Sequence, residues 1–282
     1  YEDYNVYLIY KDLQRADFNR SWTGISYGSG YEGQGCVNDE MTNYYVEFMK
    51  KHIFAYLNPP ITSKVLPMYW YLGYNVYSKS VLEVGGVILA SWIVPIHENY
   101  DGLDYWCTCM FGEDNPSDPY LIPTDRALLD RRRKMILAPV LEKAVKAGNI
   151  IIPEEFEVGF DHVTNLIAGL GMEDDPNYYL TRGYPGSVNT YVFNSISEPA
   201  NNSYPPTNEE TFIGYMHLSM YYNQARLAEV YPADKYPFLT EKFAFVQKYL
   251  KDKYQIDLEA IANGPEDWDL PLPPIPETPD EE

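Results

Sequence analysis

The chain has 282 residues, with 21 Lys and Arg against 41 Asp and Glu, and a formal net charge of −20. Its 45% hydrophobic content excludes a disordered polymer, its apolar runs are too short and interrupted to cross a bilayer, and so acidic a surface excludes nucleic acid as a partner. Aromatic residues make up 16% of the chain, 28 of them tyrosine, which suits both cores and contact faces for glycans or proteins.

In chain order, Tyr4–Tyr10 (YNVYLIY) is β-rich and predicts an opening strand. A glycine-rich loop is expected from Gly24 to Gly35, then a helix over about 39–57 stopped by Pro59 and Pro60. The aromatic stretch 65–77 predicts β structure. The nearly unbroken apolar run from Val84 to Ile96 predicts a buried central strand. A loop rich in Asp, Asn and Pro covers 99–123, and Thr124 opens a long helical segment to about Ala147 with Pro139 inside it. A proline within a helix costs about 3 kcal/mol, so a break at Pro139 is expected. Residues 178–206 are irregular. Thr207 and Glu210 have capping-box spacing and predict a helix to about Leu227. Leu239, Phe243, Val246 and Leu250 share one face of a closing helix over 239–251.

From Pro265 to Glu282, six prolines and seven acidic residues predict a disordered acidic tail. The expected organisation is α+β: a single domain over residues 1–263, a small mixed sheet packed on several helices, and a tail over 264–282. The opening at Tyr1, without an initiator methionine or signal segment, suggests a processed or trimmed form.

Cys36, Cys107 and Cys109 are too few for a disulfide framework. Cys107 and Cys109 would share one face of a strand, but no histidine stands at ligand spacing, so buried free thiols are favoured over a metal site. Gly28–Gly33 matches GxGxxG and Gly24–Gly28 matches GxSxG. Neither has the strand and helix that its chemistry requires, so both read as flexible loop. His52, His97, His162 and His217 are too scattered for an HExxH zinc pair, and each is expected at the surface or in a cap. Asp161 and His162 lie near Glu154, Glu155 and Glu157, a set that a hydrolase could use but that reads first as a solvated face. The basic run Arg131–Lys134 points all round a helix, so some of it should meet carboxylates inside the molecule.

Several segments resemble the zinc metallopeptidase lipoproteins of Bacteroidetes, a zincin-like family encoded beside nutrient importers. They are Tyr4–Tyr10, Val46–Lys51 running to Asn58-Pro59-Pro60, and above all Leu239–Phe243 through Tyr249–Leu258, similar to that family's closing helix and its ending. The resemblance implies a catalytic helix carrying HExxH. Pro153-Glu154-Glu155-Phe156 resembles the turn after that helix, and in this register Met135 and Pro139 stand where zinc-binding histidines would be, with Ile136 in place of the water-activating glutamate. Gly214 stands in place of the remaining glutamate ligand. Thioether, hydrocarbon, proline and glycine offer zinc no hard or borderline donor, so the resemblance implies a degenerate member with neither metal nor cofactor.

The expected function is therefore non-catalytic: a zincin-like surface lipoprotein that binds a glycan or peptide, or serves an outer-membrane importer as an accessory. Trp22, Trp70, Trp92 and Trp106 are the candidate contact aromatics. The expected location is the outer-membrane surface or periplasm, reached through an N-terminal lipid anchor absent from this chain. The alternative is a hydrolase, a peptidase or glycosidase, with an acid/base site around Asp161, His162 and Glu157.

Overall fold

The computed structural model describes residues 3–20, 29–100, 102–112 and 122–266. Trp22, the Gly24–Gly28 match and residues 267–282 of the tail lie outside them. Residues 1–263, read from the sequence as one domain, gather into two units: residues 3–51 with 66–129, and residues 52–65 with 130–266.

One long strand organises the first unit. Strand β1 (Tyr7–Ile9) leads through a short helix, α1 (Arg15–Phe18), to β2 (Gly30–Gly35) and helix α2 (Asp39–Phe48). Then come β3 (Tyr69–Val84), β4 (Val87–Pro95), β5 (Glu98–Asn99) and β6 (Tyr105–Phe111). The first half of β3 lies between β1 and β6, both parallel to it; its second half pairs with β2 and β4, both antiparallel. The sheet is therefore mixed, as expected. Its core gathers Phe18 of α1, Tyr71 and Val76 of β3, and Tyr105, Cys107 and Cys109, the alternating inward residues of β6.

Helix α2 starts where Asn38 accepts the Met41 N–H at 2.7 Å. It is fixed to the sheet by one hydroxyl: Tyr45 donates to the Gly73 carbonyl at 2.6 Å and accepts the Met110 N–H at 2.7 Å. After Phe48 the chain widens into a π turn (Met49–Ile53) and then tightens into a 3-10 turn (Phe54–Tyr56), rather than continuing as the α-helix expected to Leu57.

Three further expectations fail in this unit. Residues 99–123, expected as a loop, contain strand β6, buried from Tyr105 to Phe111. Gly30–Gly35 is a strand, not a loop: Gly33 sits at a bulge, with φ +158, and a Cβ there would meet Val76 Cγ2 at 2.7 Å. The run from Val84 to Ile96 is not a buried central strand. Gly85 and Gly86, at φ +61 and +81, reverse the chain, and β4 returns along β3 exposed from Val87 to Val94. An apolar run reports burial only where a second layer covers it, and the outer part of this hairpin has none among the described residues.

The second unit is mainly helical: α3 (Pro59–Thr62), most of α4 (Arg126–Lys146), α5 (Glu154–Glu157), a small hairpin of β7 (Ser187–Val188) with β8 (Ile196–Ser197), then α6 (Asn208–Tyr221), α7 (Gln224–Val230), α8 (Pro237–Tyr254) and α9 (Leu258–Asn263). The capping box of Thr207 and Glu210 starts α6 as expected. That helix ends at Tyr221 rather than Leu227, because Tyr222 is extended and Asn223 caps α7 afresh through the Arg226 N–H. The predicted stripe of α8 holds, with Leu239, Phe243, Val246 and Leu250 fully buried.

Helix α4 runs through Pro139 without the expected break. The proline removes one N–H, but Ile136, Leu137, Ala138, Val140, Leu141 and Ala144 around it are all fully buried. At ~1.5–3 kcal/mol for each large aliphatic side chain, that burial outweighs the proline's cost of ~3 kcal/mol. Arg133, from the basic run, is also fully buried. It pairs with Asp130 at 2.7 Å, donates to the Ile261 carbonyl at 2.9 Å and lies 3.2 Å from His52 Nδ1.

Candidate functional site

The second unit contains a cavity of about 640 Å³ whose walls come from α4, α6 and the Pro-rich segments between them. Glu142 and Lys146 enter from α4; Glu209, Glu210, Gly214 and His217 enter from α6. Pro185, Tyr204, Pro205 and Pro206 supply much of the apolar wall. Residues three and four apart on a helix share a face, so each helix sends its polar groups into the same space.

His217 is the unusual member. It is buried, and its Nε2 has no hydrogen-bond partner among the described residues while lying 3.8 Å from Glu142 Oε2. Burial pulls its pKa down to about 4, against opposing contributions from the Glu142 carboxylate and a hydrogen bond to the Ala138 backbone. The ring is therefore neutral at pH 7, and a lone pair faces a carboxylate. A hydrogen-bond donor placed between them would satisfy both. Glu142 Oε1 accepts from Lys146 Nζ at 2.6 Å, and that contact raises the lysine's pKa. Glu210 is committed to its cap: the Thr207 N–H and hydroxyl, at 2.8 and 2.9 Å, hold its pKa low.

Of the positions where the resemblance expects zinc chemistry, only Gly214 lines this cavity. A Cβ there would meet Pro185 Cγ at 3.2 Å, so the proline ring closes over the place a longer side chain would take. Met135 and Ile136 belong to the apolar interior, and Pro139 is half-buried in the middle of α4. None of these four offers a nitrogen or oxygen ligand, and among the described residues no three of His, Cys, Asp and Glu gather as a metal site. The residues at these positions do not fit zinc.

The aromatic candidates separate. Trp70 and Trp106 are buried in the sheet, stacked edge to face at 5.3 Å, with Trp70 Nε1 donating to Thr108 at 2.9 Å. They are core residues and present no contact face. Trp92 is 52% exposed on β4. Trp22 lies outside the described residues.

Asp161 and His162 serve a turn. Asp161 Oδ1 accepts the Val163 and Thr164 N–H groups, and Oδ2 lies 3.3 Å from Arg182; hydrogen bonds at Thr164 and Val163 pull its pKa down to about 2. His162 Nδ1 lies 2.8 Å from the Pro206 carbonyl, and Glu157 accepts from Asn208. His52, His97 and His217 are buried rather than at the surface or in caps, which corrects the expectation for three of the four histidines.

All three cysteines are free. Cys107 and Cys109 are buried on one face of β6, and burial pushes the Cys36 thiol up to about 11. A second cavity, about 670 Å³ in the first unit, is lined by residues including Lys11, Cys36 and Asp39 and holds no comparable buried unpartnered group among the described residues.

His217 is expected from the sequence at the surface or in a cap, and Glu142 is not among the residues singled out there. The available signal was that α6 is apolar nearly all round, which places any histidine within it in the interior.

No family model matches the chain, and no curated protein matches it. Among solved structures it is similar to a protein of Bacteroides caccae described as a candidate zinc-binding metallo-peptidase, at 13% identity, covering 92% of this chain and 84% of that one, with a TM-score of 0.44. No helix among the described residues is long and apolar enough to cross a membrane.

Proposed function

We propose that this chain is a non-catalytic, zincin-like binding protein, an envelope lipoprotein that serves a nutrient importer. Its ligand site is the cavity of the second unit. The observation that carries this reading is the contrast between two sets of residues. Where the family resemblance expects three metal ligands and a water-activating glutamate, the chain has Met135, Pro139 and Gly214, and Ile136. One helical turn further along each helix, Glu142 and His217 face a cavity with hydrogen-bonding capacity left over. An unpartnered buried acceptor costs about 1–3 kcal/mol, and a ligand that donates to it recovers that cost.

The wall pairs carboxylates with proline and tyrosine surfaces, which fits a peptide presenting an ammonium or guanidinium group better than a neutral glycan. The hydrolase alternative around Asp161 has less support, because that carboxylate is already engaged by its turn and by Arg182.

The test is isothermal titration with peptides containing Lys or Arg, matched neutral peptides and neutral glycans, together with plasma mass spectrometry for zinc. Expected are substoichiometric zinc and binding of the cationic peptides, weakened at least tenfold by Glu142→Gln or His217→Phe. Stoichiometric zinc, or binding that both variants leave unchanged, overturns the reading.

A further inference from the structure

Among the described residues of the first unit, the hairpin of β3 and β4 carries most of the large apolar side chains left in solvent. Val84, Val87, Ile88, Leu89, Trp92 and Ile93 are each 51–63% exposed. Together they expose roughly 600–700 Å², divided between the hairpin's two faces because neighbouring strand residues alternate, so apolar surface flanks the β4 edge on both sides.

Strand β4 is also an open edge. Among the described residues it pairs only with β3. Between Val87 and Val94 it has no charge and no proline, the usual devices that keep an exposed edge from pairing. Cross-strand partners share a face, so Trp92 lies beside Ser80 and Val87 beside Val84.

From this edge we infer that the hairpin joins two copies of the chain, β4 against β4, in an antiparallel seam about a two-fold axis. An antiparallel strand pair is its own symmetry mate, so one strand satisfies both sides. Centred on Trp92, the seam sets Ala90 of each copy opposite Val94 of the other and brings the two indoles together. The charge distribution favours a second copy over a bilayer. The arm from Tyr77 to Pro95 carries only Lys79 and Glu83, whereas the whole chain carries −20, which repels anionic lipid. Copies can meet where neither is charged, and salt should help by screening the remainder.

Sedimentation equilibrium tests this on the full chain. Expected is a species of twice 32.6 kDa at micromolar concentration, tightening as NaCl rises from 50 to 500 mM. Trp92→Lys should weaken association at least tenfold with an unchanged circular-dichroism spectrum. If that variant misfolds, Trp92→Cys decides instead: mild oxidation should link two copies through position 92, while Val158→Cys, exposed in the second unit, should link few. A monomer at every concentration and salt overturns the inference. So does no position-92 crosslink, or a monomer that floats with neutral phosphatidylcholine vesicles.

Discussion

His217 Nε2 and Glu142 Oε2 stand 3.8 Å apart, on different helices, without a hydrogen bond between them. With its pKa held near 4, the folded ring refuses a proton that the unfolded chain accepts at about 6.5. The unfolded state therefore binds more protons between those values, and stability falls as pH drops through that window, by up to about 3 kcal/mol. Urea melts at pH 7, 5.5 and 4.5 should show this slope, and His217→Met should flatten it. An unchanged slope in the variant would assign the effect to other groups.

Tyr45→Phe removes one oxygen and leaves two buried backbone groups, the Gly73 carbonyl and the Met110 N–H, without their partner. A loss of about 1–3 kcal/mol is expected from chemical denaturation. Native-state hydrogen exchange should place the loosening in β3, β6 and α2.

Lys242 is buried with its ammonium donating to the Phe156 and Val158 carbonyls at 2.9 and 2.7 Å, inside a ring of Phe156, Phe160, Phe238 and Phe245. Lys242→Met keeps much of the volume but strands those carbonyls, so a cost of about 2–4 kcal/mol is expected. Lys242→Arg should restore only part of it, because the wider fork does not fit a site shaped around a point charge.

Gly264 ends α9 at φ +77, and a Cβ there would meet the Arg133 guanidinium at 2.6 Å. Gly264→Ala should therefore destabilise by about 1–3 kcal/mol, through both backbone strain and displacement of that buried cation. A thermal melt that matches the parent protein would show that the arginine moves without cost.

The legible parts of the fold were those written in local periodicity and caps. The four-three-four spacing of Leu239, Phe243, Val246 and Leu250 placed α8, and Thr207 with Glu210 placed the start of α6, because both signals act within one or two helical turns. What failed depended on distant packing. Val84–Ile96 has the composition of a buried strand, yet whether another layer covers it is settled elsewhere in the chain. Pro139 looked like a break because the local cost was visible and the burial offsetting it was not. The histidines misled for the same reason. His217 is polar by itself, and only the apolar surroundings of α6 turn it into an interior group aimed at a cavity.

Arg132, Arg133 and Lys242 are shut away from solvent. Three of the chain's 21 positive groups are thus spent inside, and the skin that meets an ion-exchange resin is more lopsided than the formal total suggests. The protein should cling to an anion exchanger more tightly than a protein of equal net charge whose cations all face outward.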